Sequence, residues 1–450
     1  MNADAKYRIA GATVAVVGMA KSGFAAAALL REKGANVRAL DSSLTPELKA
    51  ESARAGIEVR LQDAGEFQDV DLVVISPGVP ADLPVLDSVR ARGVPVIGEL
   101  ELAGYWLQGP TIGITGSNGK TTTTALTGHI LLRSGIPAQV GGNIGRPPTD
   151  MVATSRADQW NVLELSSFQI EMTETFRARV AVALNVTPNH LDRHHTFQNY
   201  AAAKGRMFRW QQPDDFAVLN VDDAVTAGFA ELGPAQKISI SLDHRVESGL
   251  WFDGELVRAP DGVLMSAAEI PLRGRHNIQN VMAAAAAARI AGAPVEAIAA
   301  AIKTFPGVEH RLERVGEVNG VSYYNDSKAT SVDATQKAID TCAGGLWIIL
   351  GGKDKGAPYQ PLRDPLRQKA HAALLIGTAA QKISGDLNGS VPVVQCGTLE
   401  TAVGYAHRHA APGDTVLLAP ACASFDQFRS YEHRGEVFKK LVNRLSTEEK

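Results

Sequence analysis

The sequence predicts an α/β protein of three domains, each organised on a parallel sheet. Three observations carry that prediction. The 450 residues exceed what one compact core serves, and typical domain size gives about three domains. Short apolar runs ending in glycine or proline alternate with apolar-faced helical stretches, the pattern of βαβ units. The alternation restarts after residue 104 and again at a Pro/Gly break near 305, so domains over 1–104, 105–307 and 308–450 are expected.

In the first domain "ATVAVVG" (12–18) reads as a buried strand. The helix that follows stops at Gly34, and a second strand ends at Asp41. The runs 69–80 and 94–106 continue the alternation, making the domain Rossmann-like. In the second domain "PTIGITGSNGKTTTTALTGHILLRSG" supplies strand, glycine loop, helix and a stop at Gly135. Further strands are expected over 160–167, 180–187 and 216–223, with a small β excursion between 235 and 272. Two helices split at Gly292 and Pro294 close a central sheet of the P-loop ATPase type. The stretch 305–315 reads as a linker. Strands at 345–352, 372–377, 391–397 and 414–420 then make the third domain Rossmann-like as well, ahead of a frayed tail, "LSTEEK".

Composition excludes several classes. A formal net charge of −3 gives no general attraction to a polyanion, so nucleic acid is not an expected partner. Cys342, Cys396 and Cys422 are odd in number and widely spaced, which argues against a disulfide framework or a zinc site and for a cytoplasmic protein. No apolar run reaches the length of a membrane span, and the N-terminal run breaks at glycine without a signal-peptide pattern.

The chemistry concentrates in two glycine loops. In "GITGSNGKTT" (113–122) successive backbone N–H groups and the start of a helix would cradle phosphate, Lys120 would meet the outer phosphates, and the Thr121 hydroxyl would ligate Mg²⁺. The loop departs from G-x-x-x-x-G-K-[ST] by one position, with Ile114 where that pattern wants glycine. Magnesium needs further oxygen or nitrogen donors, and Glu164 and His190, each following a strand, are candidates. The other loop, "GMAKSG" (18–23), with Asp41 at the end of the next strand, resembles a dinucleotide fingerprint but has Ala20 where glycine is expected. It would serve any nucleotide that carries a diphosphate.

Beyond the loops, "TGSNGKTT", "GGNIG", "ELSSFQIE", "NVTPNHLDRH", "YAAAK", "GRHNIQN", "EHRLE" and "YNDSKAT" follow in order through the chain, after "SPG" at 76–78. Together they resemble the Mur ligase family, whose loop normally reads G-T-N-G-K-[ST]. Ser117 stands here in place of the usual threonine. "LLAPACASFDQFRSYEHRGEVF" (417–438) resembles the branch that adds D-glutamate.

The resemblance implies ATP-driven amide formation in peptidoglycan precursor synthesis. The substrates would be UDP-N-acetylmuramoyl-L-alanine and D-glutamate, the intermediates an acyl phosphate and a tetrahedral adduct, and the enzyme a cytoplasmic monomer. It implies ATP contacts from Gly116, Ser117, Asn118, Gly119, Lys120, Thr121, Thr122, Asn277, Asn280, Arg311, Asp326 and Lys328. Two Mg²⁺ would be held by Thr121, Glu164, His190 and a carbamylated Lys204, with Lys120, Lys204 and His190 as the catalytic set. A free lysine is neutral in only about one molecule in 2,500 at pH 7, so Lys204 needs burial or nearby cations to react with CO₂. Read from sequence alone, "AAAKGRMF" would make it an ordinary surface lysine.

For the muramoyl substrate the resemblance implies Lys21, Ser22, Asp41, Ser42, Ser76 and Asn143. For D-glutamate it implies Thr330, Lys355, Ser424 and Tyr431, with Lys353 an alternative to Lys355 and Tyr431 in place of phenylalanine. Three rivals remain at this point. A family member adding diaminopimelate or lysine would carry a D-N-P-R motif, which "GGKDKG" lacks. An NAD(P)-dependent oxidoreductase leaves Lys120, Glu164 and His190 without a role, and a P-loop switch protein leaves the first domain without one.

Overall fold

The computed structural model describes residues 7–272 and 274–448. It divides into two compact units, Met1–Phe305 and Pro306–Lys450. The first unit contains two sheets.

Strands β1 (Thr13–Val17), β2 (Asn36–Asp41), β3 (Val59–Leu61), β4 (Leu72–Ile75) and β5 (Val96–Gly98) form a parallel sheet of order β3-β2-β1-β4-β5. Val14 to Val17 and Leu72 to Ile75 are buried, as expected of strands covered on both faces. The order reverses between β1 and β4, which opens a crevice at their carboxyl ends. Helix α1 (Lys21–Glu32) leaves β1 through the first glycine loop.

The second sheet runs β14-β13-β12-β11-β10-β9-β6-β8-β7. Its strands are β6 (Thr111–Thr115), β7 (Ala138–Gly142), β8 (Trp160–Glu164), β9 (Val180–Ala183), β10 (Phe216–Asn220), β11 (Gln236–Ser241), β12 (Gly249–Phe252), β13 (Leu256–Ala259) and β14 (Gly262–Ser266). It is parallel from β7 to β12 and turns antiparallel only through β13 and β14, the excursion expected from the short alternating runs. Helix α2 (Lys120–Arg133) packs against helix α3 (Arg275–Ile290), whose run Asn280–Ala288 is buried throughout. Small side chains let the two backbones approach, which accounts for the alanine run.

A short helix, Glu99–Gly104, joins the two sheets within the first unit, and both of its acidic side chains point inward. Glu99 accepts from Thr149 N (2.7 Å) and Oγ1 (2.6 Å). Glu101 accepts from the backbone N–H groups of Glu174, Thr175 and Phe176 at 2.8 to 3.0 Å.

In the second unit β15 (Glu313–Val318), β16 (Val321–Asn325), β17 (Leu346–Gly351), β18 (Ala370–Ile376), β19 (Val393–Gly397) and β20 (Thr415–Leu418) take the order β15-β16-β20-β17-β18-β19. All pairs are parallel except the β15/β16 hairpin.

Three elements differ from the sequence reading. The expected linker already contains the start of β15, whose hairpin turns at Asn319-Gly320 with both residues at positive φ (52° and 77°), a turn signal that was present in the sequence. Strand β7 is an edge strand made of "AQVGG", weak in β-formers and stabilised by pairing to β8 along its whole length. The tail is helical through Glu448 in helix α4 (Tyr431–Glu448), because Phe438, Leu441 and Val442 bury one face. Residues 449 and 450 of that tail lie outside the described residues.

Candidate active site

Strand β6 lies between β9 and β8, so the segments leaving the carboxyl ends of all three converge. Gly119 caps helix α2 at φ +84°, and a Cβ there would stand 2.3 Å from Asn280 Oδ1 on α3. Glycine is therefore required twice over, by conformation and by the closeness of α3. Asn280 is buried, accepts from Thr123 Oγ1 at 3.4 Å and donates to Asn277 Oδ1 at 2.9 Å, which puts both expected asparagines beside the loop. Ser117 is braced to the segment after β9, with Oγ at 3.0 Å from Thr187 O and 3.0 Å from Tyr200 Oη. Asn118 N donates to Asn185 Oδ1 at 2.9 Å. Thr121 and Thr122 are buried in the first turn of α2.

Two lysines converge on one carbonyl. Lys120 Nζ donates to Gly116 O (2.8 Å) and Ser117 O (3.1 Å), and Lys204 Nζ donates to Gly116 O at 2.9 Å. Lys204 is 1% exposed, on the helix Phe197–Arg209. Burial first, then the charge of Lys120, push its pKa well below the usual lysine value, opposed by Glu164. The expectation of a solvated surface lysine is thereby overturned: its face of the helix packs on the loop. Tyr200, one turn earlier on the same face, lies under the ammonium with 4.6 Å from Nζ to the ring centroid.

Glu164 ends β8 and is 2% exposed. Its Oε1 accepts from Asn143 Nδ2 at 2.9 Å, while Oε2 is buried with no hydrogen-bond partner. An orphaned carboxylate oxygen beside a buried lysine and a glycine loop fits a cation ligand. Among the described residues no group of three His, Cys, Asp or Glu side chains could hold a metal, so any ion here would need hydroxyl, carbamate or phosphate oxygens as well. His190 is exposed at φ 54°, with its ring 4.9 Å from that of Phe168 and 6.2 Å from that of Tyr200. The two other histidines of this segment differ from it. His194 is buried with Nε2 2.9 Å from Ser167 Oγ, and burial, then Arg193, lowers its pKa to about 4. His195 is exposed and faces Asp82 at 3.4 Å.

A cleft of about 560 Å³ opens at the carboxyl ends of β1 and β4 and is lined by Lys21, Ser22, Asp41, Ser42, Ser76 and Asn143, all six residues expected around the muramoyl substrate. Ser76 Oγ donates to Gly18 O at 2.6 Å, and Asp41 Oδ2 accepts from Met19 N at 2.7 Å, so both residues also shape the glycine loop. Asn143 both lines this cleft and donates to Glu164 at the end of β8. That dual placement was not legible in "GGNIG".

In the second unit the expected residues gather at the carboxyl ends of β16, β20 and β17. Asp326 is buried, and burial raises its pKa to about 6 against the opposing charges of Arg311 and Lys328. Lys328 Nζ lies 5.8 Å from the centre of the Tyr431 ring. Lys355 Nζ donates to Thr330 Oγ1 at 3.1 Å, whereas the backbone of Lys353 pairs with Ala423. Ser424 follows that pairing and is buried.

Three family descriptions match the chain in order: Mur ligase MurD-like, N-terminal domain (12–98), Mur ligase middle domain (114–288) and Mur ligase, glutamate ligase domain (310–422). The UDP-N-acetylmuramoylalanine–D-glutamate ligase of Solibacter usitatus is 58% identical over 97% of this chain and 99% of its own. The protein of that name from Acidobacterium capsulatum is 50% identical over 96% of each chain. Among solved structures, the UDP-N-acetylmuramate-alanine ligase of Thermotoga maritima shares the fold, with a TM-score of 0.62 at 17% identity over 97% of this chain and 100% of that one. Three family descriptions in order along the chain, and relatives 50% and 58% identical over nearly all of it, show that the chain belongs to the Mur ligase family.

Proposed function

We propose that the chain joins the L-alanyl carboxylate of UDP-N-acetylmuramoyl-L-alanine to the amine of D-glutamate, with ATP converted to ADP and phosphate. The observation that carries this is the convergence of Lys120 and Lys204 on Gly116 O, with Glu164 within electrostatic reach of Lys204 and bonded to Asn143 of the first cleft. The relatives' names supply the choice of D-glutamate.

The chemistry follows from the leaving group. A carboxylate cannot lose oxide at neutral pH, so one of its oxygens attacks the γ-phosphorus, the bond to ADP breaks, and an acyl phosphate forms. The D-glutamate nitrogen then adds to the carbonyl carbon, phosphate leaves with the C–O electron pair, and the ammonium proton is lost. Such transfers depend on positioning and charge neutralisation. With ATP bound, the Lys120 ammonium, which here donates to the Gly116 and Ser117 carbonyls, would donate to phosphate oxygens instead.

Thr121, Glu164, His190 and Lys204 as its carbamate would hold two Mg²⁺, which would neutralise phosphate charge when bound. The orphaned Glu164 Oε2 and the depressed pKa of Lys204 support that set. Carbamylation joins the neutral amine to CO₂ with loss of one proton and turns the lysine into an anionic oxygen donor. In this reading the cleft takes the uridine nucleotide through Lys21, Ser22, Asp41 and Ser42, and the sugar side through Ser76 and Asn143. Asn277, Asn280, Arg311, Asp326 and Lys328 serve ATP, while Thr330, Lys355, Ser424 and Tyr431 serve D-glutamate. Lys355 is preferred to Lys353 because its ammonium reaches Thr330. The enzyme would act in the cytoplasm, where its three unpaired cysteines stay reduced.

Phosphate release from ATP with UDP-N-acetylmuramoyl-L-alanine tests the reading. Release that requires D-glutamate is expected; release indifferent to it, or none, would refute the ligase. Carbon-13 NMR with labelled bicarbonate and Mg²⁺ tests Lys204, and an active enzyme without a carbamate resonance would remove it from the metal set.

A further inference from the structure

Arg434, in the first turn of α4, is fully buried. Its Nε donates to Ser327 Oγ at 2.9 Å, and Nη2 donates to Ser327 O at 2.9 Å and Cys422 O at 3.2 Å. Nη1 reaches Cys422 O at 3.3 Å and Ala423 O at 3.4 Å. Every acceptor is neutral, and among the described residues no carboxylate lies within ion-pair distance of the guanidinium. Burial lowers its pKa to about 10, opposed by Cys422 and by the Asp426 carboxylate, which acts at longer range, and this leaves it charged at neutral pH.

A buried cation whose hydrogen-bond acceptors are all neutral is costly, and one at a helix N-terminus also opposes the helix dipole. An apolar side chain of similar volume would fill the space with less penalty, so packing alone does not explain the residue. Its neighbours do. Ser327 lies between Asp326 and Lys328, Ala423 precedes Ser424, and the Ser327 hydroxyl also donates to Tyr431 O at 2.7 Å. One planar fork therefore ties together the three segments that carry Thr330, Ser424 and Tyr431. Lys355, whose exposed ammonium touches Thr330, lies within electrostatic reach of Arg434, whose charge helps depress the lysine's pKa.

We infer that Arg434 is a positioning and specificity-determining residue for the acceptor amino acid: its fork holds the three segments in register, and its buried charge favours an acceptor with two carboxylates over one with a single carboxylate. This inference rests on the D-glutamate ligase reading above.

The test compares R434K, R434Q and S327A in the full chain, with saturating ATP and UDP-N-acetylmuramoyl-L-alanine and titrated D-glutamate. R434Q should raise KM for D-glutamate by at least about tenfold, the scale of one charge-assisted contact, with R434K and S327A between it and the parent. KM for ATP should rise by less than that for D-glutamate, since the fork holds Ser327 between Asp326 and Lys328 but touches neither of those side chains. Equal D-glutamate KM values in R434K and R434Q, values within about twofold of the parent, or parallel rises for ATP and D-glutamate would overturn the inference. If melting curves show that the arginine variants do not fold, S327A decides: it removes one acceptor of the fork and keeps the charge. A parent enzyme whose phosphate release ignores D-glutamate would instead refute the ligase reading, and this inference with it.

Discussion

The two glycine loops of the first unit use one backbone device in two electrostatic settings. Each follows a buried parallel strand and opens a helix, and Gly18 and Gly119 have nearly the same φ, +86° and +84°. Around the first loop a hydroxyl and a carboxylate brace the backbone, Ser76 donating to Gly18 O and Asp41 accepting from Met19 N. Around the second, two lysines share Gly116 O beside a buried carboxylate that keeps an unpartnered oxygen. A glycine loop thus announces an anion but not what will be done to it. The charges gathered in a dry place mark where bonds change, because their desolvation would otherwise be an unrecovered cost.

The contrast is broken most severely at the lysines. K120A and K204A are each expected to lower kcat by about 10²–10³-fold, the usual cost of removing one group that stabilises transition-state charge. Steady-state kinetics should find KM for the uridine nucleotide little changed, since that loop is intact.

Next come the glycines. A Cβ in G119A would meet Asn280 Oδ1 at 2.3 Å, and one in G23A would meet Gly18 O at 2.1 Å. Each should destabilise by about 1–3 kcal/mol, the range for overpacking. Calorimetry should register both losses. G119A should raise KM for ATP, G23A that for the uridine nucleotide, and a reversal of those effects would undo the assignment of the loops.

D41A removes the brace on Met19 N and should raise KM for the uridine nucleotide by about tenfold at unchanged kcat, a binding effect only.

The smallest effect concerns the helix that joins the two sheets. Burial raises the pKa of Glu99 from 4.5 to about 7, and its two bonds from Thr149 do not offset it. Burial acts on Glu101 in the same sense, but bonds from Thr175, Glu174 and Tyr105 together hold it below the usual value. Between pH 4.5 and 7 folded Glu99 binds more protons than unfolded Glu99, so its contribution to stability falls as pH rises through that window. E99Q should therefore gain in melting temperature over the parent as pH goes from about 5 to 8. E101Q should be less stable than the parent at pH 7, and the deficit should shrink as pH falls below the usual carboxylate range. Melting curves at four pH values would separate the two residues.

Much of the site was legible because glycine loops and strand-end carboxylates are local patterns. "GITGSNGKTT" places Lys120 and Thr121 at a helix start whatever surrounds them, and β8 ends at Glu164 because its apolar run ends there. The Asn319-Gly320 turn signal was present in the sequence, but the hairpin was missed because the charged residues before it read as linker. Lys204 was not legible, since a lysine in an alanine-rich helix is buried only if another element covers that face. Nor was His194 distinguishable from His190, four residues earlier, until one ring turned inward to Ser167.

By itself, then, the sequence determined three α/β domains, two glycine loops and the residue types around them, because these depend on short-range geometry and periodicity. Tertiary structure alone decided which charges are desolvated together. Lys204 against Gly116, Asn143 between cleft and Glu164, and Arg434 among carbonyls are pairings of residues distant in the chain, and a pKa or an orphaned oxygen exists only once such residues exclude water from one another.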